Sequence, residues 1–396
     1  MAKKKVVIVG GGFAGVKAAL ELCADDRFAV TLISKQPDFQ YYPSLYHTAT
    51  GGTPAESSIP LETIFSGKDL TIMLDEATTL DRQKTLIKTK HGLKAEYDVL
   101  ILALGVVTNY FGIKGLEEFS FGMKSIAEIR ELKAHIHKQL TNDKAPDPNY
   151  VIVGGGPTGI ELAGALPAYL KQVMLNHGVK HRALHIDLVE AAPNLMPRLP
   201  KDVGRAIAKR LRQLGIRLYL GKAVQGETAN TLMVDSKPLS THTVIWTAGI
   251  TNHPFFNANG FALTDKGKVV VDKHLQAEPH IYVLGDNADT MYSGMAQTAL
   301  RDALFVTGNL TLAANNKKML PYRPVKPVHV TPAGPHWAAL YWRGIRLYGW
   351  MGSALRSAAN WIAYHDVEPW WPATQEWLTA FDTQEDCPVC VKAKAQ

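Results

Sequence analysis

Cysteine is scarce here, with three in 396 residues (Cys23, Cys387 and Cys390), so no disulfide framework is expected and a reducing compartment fits. The Cys387-Pro388-Val389-Cys390 spacing has no second pair for zinc and no thioredoxin-like βαβ context, and no metal site is expected. Long apolar runs are missing too. Without an uninterrupted apolar window of about 18 residues, a membrane-spanning helix is excluded. Lys3, Lys4 and Lys5 resemble the charged start of a signal peptide, but glycines interrupt the apolar run behind them and no cleavage site follows. Nor does any Arg/Lys run interleave with aromatics, so nucleic acid is disfavoured as a partner despite a formal charge of +7. That charge suggests an anionic partner without choosing between a dinucleotide and a membrane surface.

Apolar residues are plentiful. At 46% hydrophobic and 20% charged, the chain can build large cores, and its length implies two to three domains. The organising stretch is residues 6–15, V-V-I-V-G-G-G-F-A-G. Four β-branched residues read as a buried strand, and Gly10, Gly12 and Gly15 have G-x-G-x-x-G spacing before a helical pattern over residues 16–22. Gly10 makes the tight turn, Gly12 lets a pyrophosphate approach the backbone, and Gly15 lets helix pack on strand. The strand at residues 30–33 closes the unit, but Ser34, followed by Lys35, stands where such folds carry an acid for the ribose.

The pattern recurs. After a Pro-rich linker at residues 143–149 come a strand at 150–153, then Gly154-Gly155-Gly156-Pro157-Thr158-Gly159 and a helix starting Ile160-Glu161. Here the closing strand does end in an acid, Glu190, which hydrogen-bonds the 2′-hydroxyl of NAD and repels the 2′-phosphate of NADP. Two tandem fingerprints imply two dinucleotides held face to face, a nicotinamide and a flavin being the natural pair.

Between and beyond them lie features with two readings. Residues 39–46, F-Q-Y-Y-P-S-L-Y, are either a packed loop or a wall against a flat ring system. Strands at 99–104 and 244–249 end in small residues, Gly105 and Ala248-Gly249, that allow close backbone approach. Asp286, at the tip of I-Y-V-L-G-D, is either a turn residue or a hydrogen-bonding partner for a ribityl chain. A helix is expected from Met295 to about Ala314, its N-terminus directed at a flavin's pyrimidine edge. Residues 337–342 and 345–348 suggest a hairpin, followed by a helix over 351–365 with Met351, Leu355, Ala358 and Ile362 at helical spacing and Arg356 outside.

In this order, the two fingerprints, V-I-W-T-A-G, I-Y-V-L-G-D and A-Q-T-A make residues 5–365 resemble the type II NADH:quinone oxidoreductases of the two-dinucleotide-binding-domain flavoproteins. The resemblance implies an α/β fold of two Rossmann-like, glutathione-reductase-like domains plus a C-terminal membrane-associating segment. FAD would occupy residues 1–118 and 267–328 and NADH 119–266, with a hairpin, amphipathic helix and tail at 329–396. Carried over, Gly10, Gly12 and Gly15 bind the FAD pyrophosphate, Pro43 lies along the flavin, Ala77 meets the adenine and Asp286 the ribityl chain. Phe13, Ala14, Ser34, Lys35, Gly105, Gly285, Ala296 and Gln297 complete that set. NADH falls to Gly154, Gly156, Pro157, Thr158, Gly159, Glu190, Ala248 and Gly249, with Glu161 near the stacked rings. Catalysis falls to Glu161 and to Gln297, which with Ala296 starts the A-Q-x-A-x-Q quinone motif; its last glutamine is Arg301 here.

The implied activity is respiratory NADH oxidation by a membrane quinone, without proton pumping, at the cytoplasmic face of the cell membrane. Lipid contact is expected from about residue 337 onward, where Trp350, Trp361, Trp370 and Trp371 cluster near Arg343, Arg346 and Arg356. A homodimer is compatible with the resemblance. A sulfide:quinone oxidoreductase is the enzyme alternative, disfavoured because no cysteine pair falls within the catalytic domains. A non-catalytic NADH-sensing flavoprotein is the alternative from another class.

Overall fold

A strand that is apolar on both faces needs neighbours on each side and helices above and below. In the computed structural model, which describes residues 2–141, 147, 149–179, 183–367 and 370–379, the strand Lys4–Val9 has that setting inside a six-stranded sheet. It pairs in parallel with Phe28–Ser34 and with Val99–Leu102. Leu70–Leu74 lies outside the first, Ile281–Val283 beside the second, and the antiparallel Gln276–Glu278 forms that edge. The chain therefore leaves this sheet after the first hundred residues and returns to it near residue 276. The helices Phe13–Cys23 and Ala296–Ala314 pack together over one face.

A second parallel sheet runs Arg217–Leu220, His185–Glu190, Asn149–Val153, Thr243–Trp246. Its repeated strand–turn–helix opening puts the Pro157–Asn176 helix against it, and the Ile126–Thr141 and Lys201–Gln213 helices share the same core. The short strands Val106–Thr108 and Ile250–Asn252 pair between the two halves.

The C-terminal part differs from expectation in two ways. The hairpin is a three-stranded antiparallel sheet, because His329–Pro332 pairs with Ala338–Trp342, which pairs in turn with Ile345–Gly349. A four-residue strand ending in proline carries too little periodic signal to be read from sequence. This sheet lies close on the Pro157–Asn176 helix: a Cβ at Gly164 would stand 2.2 Å from the Gly334 nitrogen.

The second difference concerns the helix Trp350–His365. The expected apolar stripe Met351, Leu355, Ala358 and Ile362 faces solvent, whereas Arg356, expected outside, points inward with Ser353, Ser357 and Asn360. Trp350 is 72% exposed and Ile362 57%. The inner face is polar because it meets a buried carboxylate and several backbone carbonyls, which an apolar face would leave unpaired.

No helix among the described residues is long and apolar enough to cross a membrane. Of the expected linker, only residues 147 and 149 are described. The side chains of Trp370 and Trp371, together with Cys387 and Cys390, lie outside the described residues.

Candidate active site

Both glycine turns fold for the same steric reason. Gly10 has φ +117°, and a Cβ there would stand 2.2 Å from the Ala103 oxygen; one on Gly15 would stand 1.8 Å from the Gly10 oxygen. Strand, turn and helix can close only without these side chains. Gly12 is different: a Cβ there meets nothing within 4 Å. Its open face adjoins the N-terminus of the Phe13–Cys23 helix, which has no side-chain cap and no acid in its first turn. That is the chemistry of an anion cradle.

The second turn repeats it. Gly154 (φ +122°) lies against the Ala248 nitrogen, a Cβ at Gly159 would stand 1.9 Å from the Gly154 oxygen, and Gly156 is again open. Pro157 begins the helix, where no side chain caps the first turn either. Glu190 reaches the turn from the neighbouring strand, accepting hydrogen bonds from the Gly155 and Ala192 nitrogens, each at 2.6 Å. These bonds hold a carboxylate beside the cradle. Ser34, its counterpart in the first half, is buried, with its hydroxyl donating to the Gln36 carbonyl at 2.7 Å. Lys35 reaches out to Glu76 at 3.2 Å.

Around the first cradle the expected contacts converge on one end of the six-stranded sheet. Gly105 donates its N–H to Asn287 Oδ1 at 2.8 Å, and Asn287 Nδ2 donates back to the Gly105 carbonyl at 2.6 Å. This joins the Gly105 turn to the Gly285–Asn287 turn. The Gly285 N–H donates to Asp302 at 3.0 Å, and Asp302 also accepts from the Tyr322 hydroxyl at 2.6 Å. Burial pushes the Asp302 carboxyl up to about 6, although both hydrogen bonds act in the opposite direction. Asp286 accepts from the Gly294 N–H at 3.0 Å, and burial raises its carboxyl above the usual range. Ala77 is buried at the start of the Ala77–Asp81 strand. Sequence reading missed Asp302, Tyr322 and Asn287, whose roles depend on partners 15 or more residues away.

The aromatic loop divides between its two readings. Phe39 and Tyr41 are core, with Phe13–Phe39 ring centroids 4.9 Å apart and Tyr41–Tyr364 4.5 Å apart. Tyr42 and Pro43 turn outward in a short 3-10 segment, Tyr42–Ser44. Gln297 sits in the first turn of its helix, but its amide is engaged: it donates to the Val328 carbonyl and accepts from the Val328 N–H, both at 3.2 Å. Arg301, one turn on, reaches the Val325 carbonyl at 3.4 Å.

The site's principal charges are Glu161 and Arg356. Glu161 is buried just past the second cradle, and Arg356 Nη2 lies 3.4 Å from its Oε1. Arg356 also donates to the Pro43 and Val330 carbonyls, each at 2.9 Å, while its Nε is buried without a hydrogen-bond partner. Burial pushes the Glu161 carboxyl up to about 7, with Arg356 drawing it back down. Burial works against the guanidinium's charge, but Glu161 and the surrounding tyrosines raise its pKa above the ordinary value. One side chain thus ties together the Pro157–Asn176 helix, the Pro43 loop of the first half and the C-terminal sheet. The sequence signal was a polar line, Ser353, Arg356, Ser357, Asn360, opposite the apolar stripe.

The profile of the pyridine nucleotide-disulphide oxidoreductase family matches residues 4–303. The chain is 28% identical over 301 residues to a type II NADH:quinone oxidoreductase of Staphylococcus saprophyticus, covering 72% of this chain and 74% of that one. To the enzyme of that name from Staphylococcus aureus it is 25% identical over 358 residues, covering 84% and 88%. Its fold is similar to that of NDH2 from Plasmodium falciparum in complex with NADH, with TM-score 0.84, 17% identity and 96% and 98% of the two chains covered. It is also similar to sulfide:quinone oxidoreductase from Aquifex aeolicus, with TM-score 0.77, 18% identity and 97% and 98% covered.

Proposed function

The chain belongs to the pyridine nucleotide-disulphide oxidoreductase family, and from that premise we propose that it is a non-proton-pumping NADH:quinone oxidoreductase using FAD. The observation that carries this reading is the Glu161–Arg356 pair, which links the helix of one anion cradle to the Pro43 loop beside the other. The residues fit the cofactor: an open Gly12 face on an uncapped helix suits a pyrophosphate, and Tyr42, next to Pro43, lies near enough to Asp286 to feel its charge. Bound FAD supplies the two-electron redox chemistry between NADH and the quinone.

The protein's share is to bind, orient and exclude water. Gly156 and its helix hold the NADH pyrophosphate, and Glu190 takes the ribose hydroxyls. Arg356 holds the Pro43 carbonyl and keeps a positive charge where a reduced quinone oxygen gains negative charge. Glu161, near neutrality in its pKa, can hold or release a proton beside it. Among the described residues, Cys23 is the only cysteine, and its thiol donates to the Leu20 carbonyl within the first helix, so no observation favours the sulfide alternative. Steady-state turnover of NADH with a soluble quinone tests the reading, with sulfide as a competing donor. Sustained NADH consumption is expected, with sulfide inert; a sensor would be reduced once and stop.

Glu190 sets the expected donor preference. Wild-type protein should use NADH well ahead of NADPH, and Glu190→Gln should narrow the ratio by removing repulsion of the 2′-phosphate. Measured kcat/KM for the two donors checks this. Equal use of both by the wild type would refute the assignment.

The exposed stripe on Trp350–His365 supports peripheral attachment to a membrane surface, which we assign to the cytoplasmic face on the family resemblance alone. Trp350, Met351, Leu355 and Ile362 present an apolar face too short to span a bilayer but suited to lie in its interface. Removing this segment would also remove Arg356, so the test belongs on the outer face alone. Changing these four residues to serine should release the protein from anionic liposomes in a flotation assay while NADH still bleaches the flavin. Liposome binding that survives the change would locate attachment elsewhere.

A further inference from the structure

The proposed reaction, NADH + H+ + Q → NAD+ + QH2, draws one proton from solvent in each turnover. Quinone oxygens reduced beside Glu161 and Arg356 lie at a buried site, so that proton needs a route. The structure has a cleft of about 690 Å³ that reaches Arg356 from the surface, between the 44–56 segment, the Pro157–Asn176 helix and the inner face of Trp350–His365. Its walls carry Ser44, Thr50, Gln172, Asn176, Ser357 and Asn360. With Tyr46, Tyr169, Val173 and Trp377 among them the lining is mixed, and this row of polar side chains gives water a run of hydrogen-bonding partners along it.

In this wall stands a buried acid–base pair. His47 Nδ1 lies 2.7 Å from Glu56 Oε1; the histidine side chain is 30% exposed and the glutamate 1%. The pair is rigidly set. Gly52 backs it so closely that a Cβ there would stand 2.1 Å from Glu56 Oε1, and the Glu56 carbonyl accepts from the buried Tyr364 hydroxyl at 2.6 Å. Tyr46 also lines the cleft and is near enough to Glu161, Arg356 and Glu56 to feel the charge of all three. At the inner end, the orphaned Nε of Arg356 is a buried donor awaiting a partner.

We propose that this cleft is the proton inlet of the reaction, with the His47–Glu56 pair as its proton-holding group and Glu161 as its inner end. The inference rests on the quinone reading above. In each turnover an imidazolium N–H of His47 breaks, its proton passes through cleft water to Glu161 and then to a quinone oxygen as the O–H bond forms, and His47 is reprotonated from solvent. Glu56 makes the arrangement workable: burial opposes a charge on His47, but the hydrogen bond and negative charge of Glu56 outweigh it and raise the imidazole's pKa. The titratable and charged groups around the cleft are Tyr46, Glu56, Glu161, Tyr169, His336 and Arg356.

The experiment uses full-length, flavin-loaded His47→Asn and two acceptors. Ferricyanide takes electrons without protons; a soluble quinone needs both. Quinone turnover is expected to fall by about a hundredfold or more, in the range for loss of a proton-transfer group, with ferricyanide turnover, quinone Kd and the rate of flavin reduction by NADH within twofold. Added imidazole should restore quinone turnover. The wild-type rate with quinone should fall as pH rises through the raised His47 pKa, and the variant should lose that limb. Where His47→Asn loses its flavin, Ala168→Trp fills the cleft mouth from an exposed helix position and should give the same split between acceptors. Quinone turnover within twofold of wild type, or equal losses with both acceptors, overturns the inlet alone. Wild-type protein that reduces ferricyanide but no quinone overturns the quinone reading and the inlet with it.

Discussion

Replacing Arg356 with methionine should lower quinone turnover by about a hundredfold, the effect of removing a preorganised charge from a site where negative charge develops. Methionine fills the stem's volume but leaves the Pro43 and Val330 carbonyls without their donor and Glu161 without its cation. Breaking a buried pair from one side destabilises by about 3 kcal/mol. The pH dependence of that loss follows from Glu161. In the wild type its pKa is raised to about 7 in the folded state by burial, so its contribution to stability is present below the ordinary carboxylate range and lost as pH rises toward 7. Without Arg356, which acts to lower that pKa, the folded carboxyl titrates higher still, and stability continues to fall above pH 7. Denaturant midpoints at pH 5 and pH 8, compared between wild type and variant, check the sign: the deficit should be larger at pH 8. Replacement by lysine keeps the charge but not the forked pair of contacts, and should recover part of the rate. A methionine variant with wild-type quinone turnover would remove Arg356 from the mechanism.

The second large effect concerns Gly156. Its backbone is extended, φ −81° and ψ −177°, so valine is conformationally tolerated, and a Cβ there meets nothing within 4 Å. Gly156→Val should therefore fold, keep FAD, and place its methyls where the NADH pyrophosphate approaches the helix. The KM for NADH is expected to rise by about a hundredfold, equivalent to about 2.7 kcal/mol of lost binding. Gly159→Val, three residues on, makes the contrast. Its Cβ would stand 1.9 Å from the Gly154 oxygen, and it should fail to accumulate as folded protein. Flavin absorbance and NADH kinetics on the two variants separate a ligand-facing glycine from a packing one. Unchanged NADH kinetics in Gly156→Val would place the nucleotide elsewhere.

Both glycine turns were legible because their constraint is local: the clash that excludes a side chain at Gly15 comes from Gly10, five residues away. The strands around them were legible as buried runs of β-branched residues, and Ala296–Ala314 began where its pattern put it. The Trp350–His365 helix was legible as a helix but not in its orientation. Periodicity reports that two faces differ without saying which one meets protein. Here the polar face turned inward because Glu161, nearly two hundred residues earlier, waits there.

What the sequence by itself determined is therefore the pair of glycine turns and the α/β scaffold that presents them, since short-range sterics and strand burial need no knowledge of distant residues. Only the tertiary structure decided which charges meet. Arg356 reaches Glu161 and Pro43 across three separate parts of the chain, Gln297 turns its amide to Val328, and His47 finds Glu56 beside the cleft. Such pairings are set when long-range packing removes water from groups that cannot stay unpaired, and a linear pattern does not record which partner each will find.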